Sequence, residues 1–199
     1  EVRTFVLAAV LGVSLNAYDA THLKKALEEK ECVGCDLRGA DLRNIDFSGG
    51  DLSRSDLSGA DLSKSVFVMC SLDDANLSRA KAEGSIFWKG SMERSDLSHL
   101  KAKGANFKGT HLAHSHLEYA DLRGTKSWKA DFTEAKLSHT DFTDAELGDA
   151  KFVHTDLRSA KMKNALMWQT RFVGSIMSQK QCAQARKEEA LLDSNVTCR

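Results

Sequence analysis

An apolar side chain recurs at every fifth residue from Leu37 to Met177, with no insertion. Of these 29 positions, 26 are Leu, Phe or Met, and the exceptions are Ala82, Ala102 and Ser127. Two residues before each, 27 of 29 positions hold Ala, Ser, Thr, Cys or Gly; Ile45 and Leu100 depart. The position between is often Asp or Asn, as at Asp36, Asp41, Asp51 and Asn76. A period of five fits neither standard element. On an α-helix successive members fall about 140° apart and share no face. On a strand an odd period alternates between faces. The chain must therefore turn once per five residues, so that each fifth side chain points at one axis with the small residue crowded beside it. Coils stacked this way pair their backbones about 4.8 Å apart, which is the organisation of a solenoid. Proline is absent from all 199 residues, as expected where every backbone N–H is needed for coil-to-coil bonding.

A longer period of twenty sits on top of the five. Residues 37, 57, 77, 97, 117, 137 and 157 are all Leu, and 47, 67, 87 and 107 are all Phe. The three Trp fall at 88, 128 and 168, forty apart. Four turns per coil follow, and residues 35–177 then make about seven coils, roughly 35 Å tall at the strand spacing.

Segments such as Ala40-Asp41-Leu42-Arg43-Asn44 and Ala60-Asp61-Leu62-Ser63-Lys64 resemble the pentapeptide-repeat family, A(D/N)LXX. The resemblance covers over two thirds of the chain. It implies an all-β solenoid, a right-handed quadrilateral β-helix with short N- and C-terminal capping helices. The lead-in Glu31-Cys32-Val33-Gly34-Cys35-Asp36-Leu37 is similar to the start of exported and thylakoid-lumen members, some of which carry a C-terminal disulfide.

The flanks divide the rest. Phe5 to Ala17 is apolar and ends in small residues, the pattern of an export signal or of a retained segment that contacts a membrane or partner. It is short for a transmembrane helix, which needs about 20 residues. Residues 18–34 are expected to form an N-terminal capping helix, with Asp19 as a candidate cap and Ala20, Leu23, Ala26 and Leu27 at helical spacing. Residues 178–199 are expected to form a C-terminal helical cap. Ser178 and Gln181 have capping-box spacing, and Ala183 to Leu192 has helical composition. Five Cys leave at least one thiol unpaired within the chain. Cys35 and Cys70 fall at the small interior position and read as buried packing thiols. A local Cys32–Cys35 disulfide is the competing reading for the first of them. Cys182 and Cys198 bracket the C-terminal helix and are the favoured disulfide pair.

Little in the sequence points to catalysis. There is no Gly-rich phosphate loop, no Ser/His/Asp order and no second CxxC to complete a zinc site. Seven His invite a metal hypothesis, yet His111 and His116 fall on adjacent faces. His99 and His139 share a column but stand two coils apart, about 10 Å, too far for one ion. No cofactor and no metal are expected. The Asp before each central residue is expected to bond neighbouring backbone.

The outward positions are polar on three faces. The fourth, built from 45–49 and its equivalents up to 165–169, carries Val66, Val68, Met69, Ile86, Trp88, Trp128, Leu166 and Trp168, with Lys108 between the first two Trp. The ring of Trp128 is expected to turn partly inward toward the gap at Ser127. A contiguous apolar strip with Trp marks an interaction surface; the terminal helices or Lys89 could instead cover it. The expectation is a non-enzymatic scaffold, exported to a lumenal or periplasmic space, docking a protein partner along this strip. A peripheral subunit or assembly factor of a membrane or photosynthetic complex fits by family analogy, with peripheral membrane contact through residues 5–17. A carbohydrate-binding module is the alternative. A DNA-mimicking gyrase inhibitor, a role known in the family, needs an acidic surface. With 28 basic and 28 acidic residues, zero net charge opposes that reading and any nucleic-acid partner.

Overall fold

The computed structural model describes residues 18–199; the apolar stretch 5–17 lies outside the described residues. Each pentapeptide does the same thing. The residue before the centre bridges in parallel to the residue twenty further on, as in Asp36 to Asp56 and Asp56 to Asn76. The central side chain is buried, and a tight turn follows. In that turn Ala40 N–H donates to the Leu37 carbonyl at 3.1 Å. The second turn residue takes a positive φ, 60° at Asn44 and 62° at Tyr119, the mark of a type II turn. Four such turns close a coil, and the result is a quadrilateral β-helix. Leu37 N–H donates to Asp56 O and Asp56 N–H to Cys35 O, both at 2.8 Å, so each coil binds its neighbours much as sheet strands do.

The polar consensus residues serve this path. Asp51 and Asp56 accept from the backbone N–H groups of Ser53 and Ser58 through Oδ1, both at 2.9 Å, fixing the entry to each turn. The hydroxyls of Ser85, Thr110, Thr140 and Thr170 lie inside and donate to carbonyls 23 residues earlier at 2.7–2.8 Å. Small hydroxylated residues are therefore acceptable in the interior because each finds a partner there.

The core is a set of side-chain columns. Phe47, Phe67, Phe87 and Phe107 stack with ring centroids 5.0–5.2 Å apart. Beside this column stand Ala82 and Ala102, both buried, which leave room for two of its rings. At Ser127 the column stops, and Phe132, Phe152 and Phe172 begin a second one on the next side, stacked at 4.9 and 5.3 Å. Phe142 packs edge-on against Phe132 and Phe152. The three departures from the apolar series thus sit where a neighbouring Phe already fills the space, which keeps packing near constant along the axis.

Both ends are occupied by helices. At one end α1 (Ala20–Glu29) begins at Asp19, whose carboxylate accepts from Thr21 and His22 N–H and is held below the ordinary carboxylate range chiefly by the His22 bond. Ala26 is buried, and Asp36 N–H donates to His22 Nδ1 at 3.0 Å. The coil ladder starts at Glu31. At the other end the last coils pair as short strands, β1 (Lys151–Val153) with β2 (Arg171–Val173), followed by β3 (Ile176–Met177). Helix α2 (Gln179–Lys187) opens with the Ser178/Gln181 capping box. Gln181 Nε2 donates to the carbonyls of Leu157 and Ala160, and Gln184 Nε2 to those of Met162 and Ala165. These amides satisfy carbonyls that no further coil would reach. The helix is shorter than the composition suggests. It ends at Lys187, and Leu191–Leu192 form β4 against β2, while β5 (Thr197–Cys198) pairs with β3. Extended pairing on the open coil edge outweighs local helix preference there.

Disulfides join Cys182 to Cys198 and Cys32 to Cys35. Cys35 is therefore not a packing thiol. It fills the small interior position and at the same time bonds its neighbour three residues earlier. Cys70 is free and buried, and loss of hydration pushes its thiol up to about 12, which makes it unreactive.

Candidate functional site

The strip with the Trp residues runs along one face of the solenoid. Met69, Trp88, Leu166 and Trp168 are exposed, with 64%, 39%, 51% and 50% of their surface open. Val66, Val68 and Ile86 are half-buried, because side chains directly above and below shield them. The apolar surface is thus two exposed patches, around Met69–Trp88 and around Leu166–Trp168.

Trp128 links the second patch and departs from the expectation of an inward ring. Its ring does not turn into the Ser127 gap. Ser127 is fully buried and hydrogen-bonds Thr125 at 3.2 Å, so the interior is closed there. The indole instead lies outside, flat over Gly148 in the next coil, where any Cβ would collide with it. Its Nε1–H donates to Glu146 Oε2 at 2.9 Å. From this position it reaches Trp168, with centroids 6.4 Å apart and planes tilted by 48°, well inside the separation of about 10 Å that two coil spacings give. Glycine twenty residues after Trp128 was the readable signal for this contact.

The charges on this face are mixed: Lys89, Lys108, Lys126 and Lys129 share it with Asp46, Glu146 and Asp149. These lysines form no ion pair among the described residues, and the same holds for Lys64, Lys81, Lys101 and Arg79 on the other faces, while Arg38, Arg43, Arg94, Arg123 and Arg158 each grip a carboxylate. Lys89 stands over the Trp88 ring, Nζ 5.0 Å from its centroid, which orients the ring but leaves it exposed. Neither α1 nor α2 shields Trp88 or Trp168. Among the described residues no cluster of His, Cys, Asp and Glu could hold a metal ion, and no helix is long and apolar enough to cross a membrane.

The repeat geometry has a counterpart in known proteins. The family profile described as Pentapeptide repeats matches in eight copies, over residues 31–67, 51–88, 70–109, 91–126, 130–169 and 140–179. The chain belongs to the pentapeptide-repeat family. Among solved structures this pentapeptide-repeat protein is similar to QnrB1, a plasmid-mediated fluoroquinolone resistance protein, with a TM-score of 0.60. That match is 18% identical and covers 84% of this chain and 85% of QnrB1. A pentapeptide repeat protein from the Arabidopsis thaliana thylakoid lumen is 29% identical over 56% of this chain and 70% of its own length, with a TM-score of 0.34. HetL, a pentapeptide repeat protein involved in heterocyst differentiation regulation in the cyanobacterium Nostoc, is 22% identical over 85% of this chain and 81% of its own, with a TM-score of 0.39. No curated protein matches the chain by sequence. The likeness to QnrB1 is one of fold, the right-handed quadrilateral β-helix. Proteins of this family are in general structural or interaction proteins.

Proposed function

We propose that this pentapeptide-repeat protein is a non-enzymatic scaffold that docks a protein partner along the Trp-bearing face. The observation that carries the reading is the exposure of Trp88, Trp168, Leu166 and Met69 along one face. Large apolar anchors supply most of the binding energy in such contacts. The partner would therefore present apolar side chains to set against the indoles. Trp128, clamped by Glu146 and Gly148, would act as a preformed support for Trp168. The two helices close the coil ends and keep the stack from growing edge to edge.

An exported, oxidising compartment, such as a thylakoid lumen or periplasm, is part of the proposal and is supported by two disulfides in one short chain. A place as a peripheral subunit or assembly factor of a membrane or photosynthetic complex would follow from that compartment.

The test is partner recovery with single substitutions. Trp88→Ser should leave thermal stability nearly unchanged, since Phe87 beneath it stays buried, yet weaken binding about thirtyfold. Trp168→Ser should come second, and Ser58→Trp on another face should do nothing. The reading fails if both Trp variants bind normally while Ser58→Trp abolishes binding. A saturable Trp fluorescence response to glycans, with no protein partner recovered, would favour a carbohydrate-binding module instead.

A further inference from the structure

The solenoid has one irregular place, away from the Trp face. The ladder of coil-to-coil bridges runs from Glu31 to Ile176, and among the described residues a single bridge is missing from it, between Lys136 and Asp156. The neighbouring rungs Asp141 to Lys161, Glu146 to Leu166 and Lys151 to Arg171 are all present, so the backbone pairing is interrupted on one face alone. At the same level Ser159 is the one second turn residue of the repeats that does not take a positive φ. In the regular pattern Leu137 N–H would donate to Asp156 O and Asp156 N–H to Ala135 O. Neither bond forms among the described residues, and His139 N–H donates to Ser159 Oγ at 3.1 Å instead.

This opening lies where a column of surface rings ends. His99, Tyr119 and His139 stack with centroids 5.1 and 4.8 Å apart and planes within 5° and 17°. The next residue in the column is Ser159, so the outer face of His139 has no ring upon it. Two shallow hollows flank the spot. One is lined by Ser138, Asp156, Arg158 and Ser159. The other contains Tyr119, His139, Asp121, Arg123, Asp141 and Lys161.

We infer that this slot binds a planar heteroaromatic ring with both donor and acceptor edges, of the purine type, stacked on His139 as the fourth member of the column. A stacking interval of about 5 Å is already set by the coils, and a ring over Ser159 continues it. Ser138 and Ser159 line the adjoining hollow, and their hydroxyls suit the polar ring edge. The ligand ring is neutral, because the cations around it are already matched. Arg158 holds Asp156 at 2.5 Å, Arg123 holds Asp121 at 2.6 Å, and Lys161 stands 3.6 Å from Asp141.

Adenosine is the probe, titrated into the full chain and followed by amide and imidazole NMR signals. Shifts confined to Leu137–His139 and Asp156–Ser159, with the His139 ring protons moved upfield, are the expected result. His139→Ala, an exposed position, should weaken binding about tenfold, the loss of one stacking partner. Trp168→Ser should leave it unchanged, and ribose alone should give no shift. The inference is overturned if adenosine produces no shifts, if His139→Ala binds as well as wild type, or if the shifts follow Trp88 and Trp168.

Discussion

Two columns of rings run through this molecule at the same interval, one inside and one outside. The Phe47–Phe107 column stacks at 5.0–5.2 Å and is fully buried. The His99–Tyr119–His139 column stacks at 4.8–5.1 Å, and Tyr119 is 56% exposed. The common spacing comes from the coil ladder, which sets any two residues twenty apart face to face. The energetics differ. Inside, each ring replaces water contact with close packing, and the column is required to fill the coil. Outside, stacking adds about 0.5–1.5 kcal/mol per ring pair at most, and no packing demand explains why rings were placed there. Interior rings therefore report the fold, and exterior rings report what the surface does.

The sharpest way to break this distinction is to place a charge on either side of the wall. Leu77 is fully buried and Ser78, the next residue, is half-exposed. Leu77→Asp buries an unpaired carboxylate at a cost of several kcal/mol and should abolish cooperative thermal unfolding. Ser78→Asp should change stability by less than about 0.5 kcal/mol. Equal melting temperatures for the two variants would mean that the inward register is wrong.

A second test works within the interior column. Phe87→Ala leaves a cavity between two stacked rings and should cost about 3–5 kcal/mol, read by denaturant unfolding. Ser127→Phe would extend the same column by one ring, but Phe132 already fills that coil. Overpacking should cost about 1–3 kcal/mol. A stabilised Ser127→Phe variant would show that the column ends for some reason other than space.

These contrasts also mark what the sequence made legible. Register, the four-turn coil and the buried columns follow from periods of five and twenty, because each position has one environment repeated many times. The pairing of Cys35 did not follow. The small interior slot accepts a free thiol and a disulfide sulfur equally well, and Cys70 shows the first case in the same slot. The outward pose of Trp128 depends on Gly148 in the next coil, a contact visible only when residues twenty apart are compared. Leu191 and Leu192 read as helix, since only the unpaired edge of β2 draws them into a strand. The turn at Ser159 carries one faint signal: in the series from Leu37 to Met177, Ser occupies the second turn position nowhere else. The rest of Leu157-Arg158-Ser159-Ala160 is ordinary for this repeat, so the departure could not be foreseen from it.

The smallest expected effect is the most informative about the outer column. Tyr119→Ala removes the middle ring between His99 and His139 while its backbone bond, Tyr119 N–H to Ser138 O at 3.0 Å, stays. Alanine tolerates the positive φ of 62° less well than glycine but no worse than tyrosine. Stability should therefore fall by about 1 kcal/mol or less, from lost stacking and partial burial, against about 3–5 kcal/mol for Phe87→Ala. The two imidazoles lose their shared neighbour, so the ring protons of His99 and His139 should both move downfield as the ring current disappears. If Tyr119→Ala instead destabilised the chain as much as Phe87→Ala, the outer column would be structural. Its position beside the opened rung would then carry no functional meaning.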